Sequence, residues 1–151
     1  MVQIGKFNQL KILRQLDIGL ILDGEKYGDI LLPARYVPEN FKDEKAIEVF
    51  VYPDSEDRLI ATTLQPKAQV GQFALLEVVS TESIGAFLDW GLPKDLFLPF
   101  SEQSRDLNIG HKILVYIYLD NTERLCASMR IDKYVSKDTK SYKKNQPVDL
   151  I

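Results

Sequence analysis

Slid along itself by 66 positions, the 151-residue chain superposes on itself without a gap. An internal duplication of this kind constrains a fold more than any single motif does. Gln3-Ile4-Gly5-Lys6-Phe7 falls on Gln69-Val70-Gly71-Gln72-Phe73, and Ile18-Gly19-Leu20-Ile21-Leu22-Asp23 on Ile84-Gly85-Ala86-Phe87-Leu88-Asp89. Asp29-Ile30-Leu31-Leu32-Pro33 meets Asp95-Leu96-Phe97-Leu98-Pro99, and Val49, Tyr52, Asp54, Arg58, Leu59 and Ala61 meet Val115, Tyr118, Asp120, Arg124, Leu125 and Ala127. The matches sit at glycines, apolar strand positions and turn residues, the places a fold dictates. The chain is therefore two copies of one small unit.

A unit of this size lies below the roughly 70–80 residues at which a single core becomes comfortable. Disulfides cannot reinforce it, because Cys126 is the only cysteine, and the lone His111 leaves no Cys/His cluster for zinc. Packing of one copy on the other is the remaining source of stability.

Each copy reads as five short strands. In the first they are Phe7 to Arg14, Ile18 to Asp23, Tyr27 to Pro33, Ile47 to Tyr52 and Arg58 to Thr63. A polar connection with one helical turn, Arg35 to Lys45, follows the third strand, and Asp54-Ser55-Glu56-Asp57 turns the chain into the last. The fourth strand alternates, with Ile47, Val49 and Val51 on one face and Glu48, Phe50 and Tyr52 on the other. The second copy repeats the plan from Gln72 to Met129, with Ser101 to Ile109 as its connection. Five strands with a long link between the third and fourth match an OB-type barrel, with a twisted Src-homology-like barrel as the main rival from pattern alone, and closure removes the two edges that an open sheet would expose. The predicted fold class is all-β: two tandem five-stranded OB-fold barrels. Gly19 and Gly85, inside strands, are expected where so small a barrel bends sharply. The expected domains are residues 1–65 and 66–130. Residues 131–151 are read as a linker and the cut-off start of a third copy, because Asn145 to Ile151 resembles the entry to a first strand.

The formal net charge of −3 argues against a simple polyanion binder, so phosphate attraction has to come from local patches. No apolar run approaches the roughly 18 residues needed to cross a membrane. With a single cysteine and no signal-peptide pattern, the chain reads as cytoplasmic, with no membrane partner. One histidine and one cysteine offer no nucleophile–base partnership, no Gly-rich phosphate loop occurs, and no acid/base pair stands out. The expectation is a protein that is not an enzyme and needs no cofactor or metal.

The hairpin Val78 to Asp89, the strand Leu96 to Glu102 and the last turn and strand Asp120 to Met129 resemble an S1-type RNA-binding domain. More narrowly, three phrases resemble the bacterial conserved virulence factor B family: Asp29 to Pro38, Ile60-Ala61-Thr62-Thr63 before Pro66-Lys67-Ala68, and Asp89-Trp90-Gly91-Leu92-Pro93-Lys94-Asp95-Leu96. The resemblance covers essentially the whole chain. It implies tandem S1-like domains, with a third such domain and a winged helix on the C-terminal side. It also implies single-stranded RNA as the partner, with DNA left open, and a regulatory role; it says nothing of oligomeric state.

Such domains hold RNA on two aromatics of the second strand, a histidine of the third, and an Asp and an Arg four apart around the last turn. Copy two keeps Phe87, Asp120 and Arg124, but has Ile84 for the first aromatic and Pro99 for the histidine. Copy one keeps only Asp54 and Arg58, with Ile18, Ile21 and Pro33 elsewhere. Trp90 and Lys94 complete the set of candidate RNA contacts. Each has a plainer reading. Phe87 could be core, the Asp–Arg pairs could close turns, and Trp90 is more often a rim-packing residue. The aromatic face formed by Phe50, Tyr52, Tyr116 and Tyr118 suits a seal between barrels better than a stacking surface. The basic run from Lys133 to Lys144 reads first as a solvated linker. A rival reading follows: degenerate barrels serving structural or protein-interaction roles, with nucleic acid bound by further C-terminal domains.

Overall fold

The computed structural model describes residues 1–39, 45–54 and 56–132. The basic run after Asp132 and the expected start of a third copy lie outside the described residues. The first five strands are β1 (Phe7–Leu16), β2 (Gly19–Asp23), β3 (Asp29–Pro33), β4 (Ala46–Pro53) and β5 (Leu59–Thr62). The second five are β6 (Phe73–Glu82), β7 (Gly85–Asp89), β8 (Leu96–Pro99), β9 (Lys112–Leu119) and β10 (Leu125–Ser128). Each set closes into a barrel, in the order β1-β2-β3-β5-β4 and its counterpart β6-β7-β8-β10-β9. The closing contacts are parallel, Leu31 against Ile60 and Phe97 against Cys126. This is the OB plan read from the sequence.

Two local devices permit closure, and both appear at the same place in each copy. The long first strand must serve two neighbours. Residues 7–11 of β1 pair with β4 and residues 12–16 with β2, with an irregularity between Ile12 and Arg14 at the start of the second ladder. In β6 the same shift falls between Val78 and Ser80. A bulge bends and twists a strand enough to let it turn this corner. The second device is glycine. Gly19 and Gly85 open β2 and β7 rather than lying within them, with φ of +147° and +156°. A Cβ there would run into the carbonyl oxygens of Leu32 and Leu98 across the ladder, so close backbone approach as well as dihedral freedom demands glycine.

The alternation in β4 has a consequence that runs between the barrels. Val49 and Val51 point into the first barrel beside Leu10, Leu22, Ile30 and Leu32. Phe50 and Tyr52, on the opposite face and 0% and 6% exposed, join the hydrophobic cluster of the second barrel. Both faces of the strand are thus buried, and the seam contributes the area that each small core lacks. Phe50 meets Phe7 and Trp90 edge-on, at ring-centroid distances of 5.4 and 5.7 Å. Backbone bonds fasten the same junction: Val70 N–H donates to the Gly5 carbonyl and Lys67 N–H to the Trp90 carbonyl. The expected seal holds for Phe50 and Tyr52. In the second copy Tyr116 and Tyr118 are half-buried, with Tyr116 against Phe73 at 4.9 Å.

Candidate nucleic-acid interface

Strand alternation decides which side chains leave the second barrel. In β7, Ala86 and Leu88 are buried in the core, which turns Phe87 outward; in β8, Leu96 and Leu98 do the same for Phe97. Phe87 and Phe97 are cross-strand partners, and both are half-buried. Their rings lie 5.2 Å apart at an interplanar angle of 36°. They form one wall of a cleft of about 350 Å³, whose rim also carries Ile84, Arg124 and Cys126. Ile84 is 61% exposed at the mouth. The first barrel contributes Tyr52, Pro53 and Asp57 to the lining of the same cleft.

The charged groups divide by what already holds them. Asp120 Oδ1 accepts from the backbone N–H groups of Thr122 and Arg124 at 2.8 and 3.0 Å, and from the Thr122 hydroxyl at 2.6 Å. Burial alone would raise its pKa, but these donors and the Arg124 charge outweigh that and hold it below the usual carboxylate range. Asp54 is built alike. Burial opposes, while N–H bonds from Arg58 and Glu56 and the charges of Arg58 and Lys94 bring its pKa down. Both aspartates organise their turns. Arg58 pairs with Asp54 at 3.4 Å and Glu56 at 3.3 Å within its own turn. Arg124 does otherwise: its Nη2 reaches Asp57 of the first barrel at 2.9 Å. Lys94 Nζ donates to the carbonyls of Pro53 and Asp54 at 3.2 and 2.9 Å, which ties the two barrels together.

The structure therefore brings Phe87, Asp120, Arg124 and Lys94 to one cleft and sets Asp54 and Arg58 apart on the first barrel. Trp90 is corrected in role. Although it borders the cleft it is only 2% exposed, its indole N–H donates to the Lys94 carbonyl at 2.8 Å, and its ring packs against Phe50. No face of the ring is open to a base. On the first barrel, Ile21 stands where Phe87 stands in the second and Leu31 where Phe97 stands, so no aromatic pair forms. Phe97 and Asp57 are the two residues that the sequence reading missed. The apolar, apolar, apolar run Leu96-Phe97-Leu98 between known turns carried the signal for Phe97, since strand alternation must send its middle member outward. Nothing local could have found Asp57, because its partner belongs to the other copy.

Cys126 is buried beside Phe97, and burial followed by the Asp120 charge pushes its thiol up to about 11. That suits a small apolar filler rather than a nucleophile. Among the described residues no group of three or more His, Cys, Asp or Glu is placed to hold a metal, and no helix is long and apolar enough to cross a membrane.

Two closed five-stranded barrels in tandem, one with an outward aromatic pair, define a class: a tandem OB-fold protein. The chain belongs to the S1 domain family, whose pattern matches residues 4–64 and again 70–130. It is 40% identical over 93 residues to the uncharacterized protein YitL of Bacillus subtilis, covering 60% of this chain and 30% of that one. It is 23% identical over 128 residues to conserved virulence factor B of Staphylococcus epidermidis, covering 81% of this chain and 43% of that protein. Among solved structures it resembles a multidomain protein with nucleic acid binding domains from Streptococcus pneumoniae, with a TM-score of 0.68 and 21% identity over 82% of this chain and 45% of that one. The likeness to conserved virulence factor B seen in the three phrases thus holds. The chain spans less than half the length of these relatives.

Proposed function

We propose that this chain is a cytoplasmic RNA-binding module of a regulatory protein, and that it takes single-stranded RNA in the cleft beside Phe87 and Phe97. The observation that carries the reading is the outward Phe87–Phe97 pair with Arg124 at the same cleft. A single strand is held by ring faces that stack on bases and by a cation for the backbone, roles for which the outward rings and Arg124 are the candidates. The geometry favours unpaired bases, because a duplex keeps its ring faces hidden in its own stack. The first barrel, with Ile21 and Leu31 on the matching strands, buttresses the site instead of binding a second segment. In this reading no residue performs chemistry on the ligand.

The test is fluorescence anisotropy with a labelled single-stranded oligoribonucleotide. Phe87→Ala and Phe97→Ala are each expected to weaken binding about 5- to 150-fold, as ~1–3 kcal/mol per stacked base implies. The same oligomer as DNA reports whether the 2′-hydroxyls are read. Binding that is indifferent to both phenylalanines would refute the reading. The rival, a protein-interaction module, draws on the net charge of −3 and on the burial of Phe50 and Tyr52 in the seam. It predicts no binding to either oligomer at high protein concentration.

A further inference from the structure

Arg124 is the cation a phosphate would meet at the aromatic cleft, yet it is already engaged by a carboxylate of the other barrel. We propose that Asp57 acts as an internal phosphate mimic, an affinity-limiting residue that holds Arg124 and must be displaced when a nucleic-acid backbone arrives. The inference rests on the reading of the cleft as a nucleic-acid site, and it assigns the first barrel a part in tuning that site.

Three observations carry it. The Arg124 Nη2 to Asp57 Oδ2 distance of 2.9 Å is a hydrogen-bonded ion pair, and the side chains are 62% and 50% exposed. A pair in that much water is weak and readily exchanged for another anion. The turn also sets the position of Asp57. Its backbone is in the left-handed region at φ +63°, and its N–H donates to the Asp54 carbonyl, which carries the side chain to the side of the turn that Arg124 reaches. Finally, the pairing is selective. Arg58, which the repeat makes the counterpart of Arg124, is satisfied within its own turn by Asp54 and Glu56. Asp120 gives one oxygen to the Thr122 and Arg124 turn donors, and the Arg124 guanidinium crosses to Asp57. The repeat thus produces two arginines with different availability: one closed locally, the other checked from across the seam.

A phosphate oxygen and the Asp57 carboxylate compete for the same donor, so removing the carboxylate's charge should strengthen anion binding. Asp57→Asn is the appropriate change, because asparagine tolerates positive φ well and keeps the side chain's shape. Two arms separate this inference from the reading it rests on. In the first, the Arg124 side-chain N–H signals are followed by NMR during titration with tripolyphosphate, which has no bases to stack. Asp57→Asn should move the midpoint to about two- to five-fold lower concentration, the range an exposed ion pair corresponds to. An unchanged or higher midpoint overturns the proposal. In the second, labelled single-stranded RNA should bind Asp57→Asn more tightly by a similar factor. In an Arg124→Gln background the Asp57→Asn change should then have no effect. Equal tightening in both backgrounds would mean a general charge effect and would overturn the proposal. If the tripolyphosphate midpoint shifts while no variant binds RNA, competition at Arg124 stands and the RNA reading of the cleft fails.

Discussion

Replacing Phe50 by alanine probes whether the two barrels are one cooperative unit. Phe50 is fully buried, springs from the first barrel's β4, and packs in the second barrel's cluster against Trp90. Truncating a buried phenylalanine costs about 3–5 kcal/mol, from lost transfer energy and the cavity left behind. The edge-on contacts to Phe7 and Trp90 place this site toward the upper end. For a chain of this length each kcal/mol lowers Tm by roughly 2–4 °C, so a fall of about 10 °C or more is expected. Urea unfolding should be followed by circular dichroism and by the fluorescence of Trp90, the only tryptophan. Circular dichroism reports both barrels, whereas Trp90 reports the seam. In the wild type the two transitions should coincide, and in Phe50→Ala both should shift together. If the variant does not fold, Phe50→Leu supplies the same comparison at a smaller perturbation. A Trp90 signal that shifts while most of the circular dichroism transition stays in place would refute the idea that the seam joins the barrels into one unit.

Gly85→Ala is expected to destabilise by more than about 1 kcal/mol, since the new methyl meets the Leu98 carbonyl and φ is +156°. Gly110→Ala, also at positive φ but facing open space, should be the milder change in the same urea experiment. Acid should weaken the fold through Asp54 and Asp120, whose folded pKa values lie below the ordinary 3.8. Their contribution is fully present above the unfolded-state value and is lost as pH falls through the lower folded values. A variant with both changed to alanine should therefore be less stable near neutrality and lose less stability on acidification, measured by thermal melts from pH 7 to pH about 2. Cys126, buried and with its thiol raised to about 11, should resist a thiol reagent at pH about 8 in the folded protein and react promptly in urea.

Much of the fold was legible because the duplication marked the same positions twice. The five strands of each copy, the long link after the third strand and the two faces of β4 all followed from local alternation and turn residues. The glycines were correctly singled out, but their reason lay in the neighbouring strand's carbonyls, which one strand's sequence does not contain. In the site, Phe87 pointed outward because Ala86 and Leu88 had to point in. The same alternation turns Phe97 outward, whereas the S1 pattern marks the third strand at its histidine position, which is Pro99 here, two residues on. Asp–Arg spacing predicted Arg58 with Asp54 correctly and did not anticipate the partner of Arg124. The two turns have the same local chemistry. What differs is what stands opposite them across the seam, a relation between barrels that spacing along one copy does not encode. Trp90 shows the reverse case: its burial against Phe50 is a packing role, the plainer of the two readings its sequence position allows.

The most direct test of the central claim is NMR mapping of the isotope-labelled chain with a short single-stranded RNA. The account predicts that the largest shifts fall on Phe87, Phe97 and the Arg124 side chain, while Phe73, Leu75 and Leu114, on the other side of the second barrel, and Arg58 on the first barrel change little. Shifts centred on the first barrel or on the Phe73 face, with the Phe87–Phe97 strands unmoved, would contradict it.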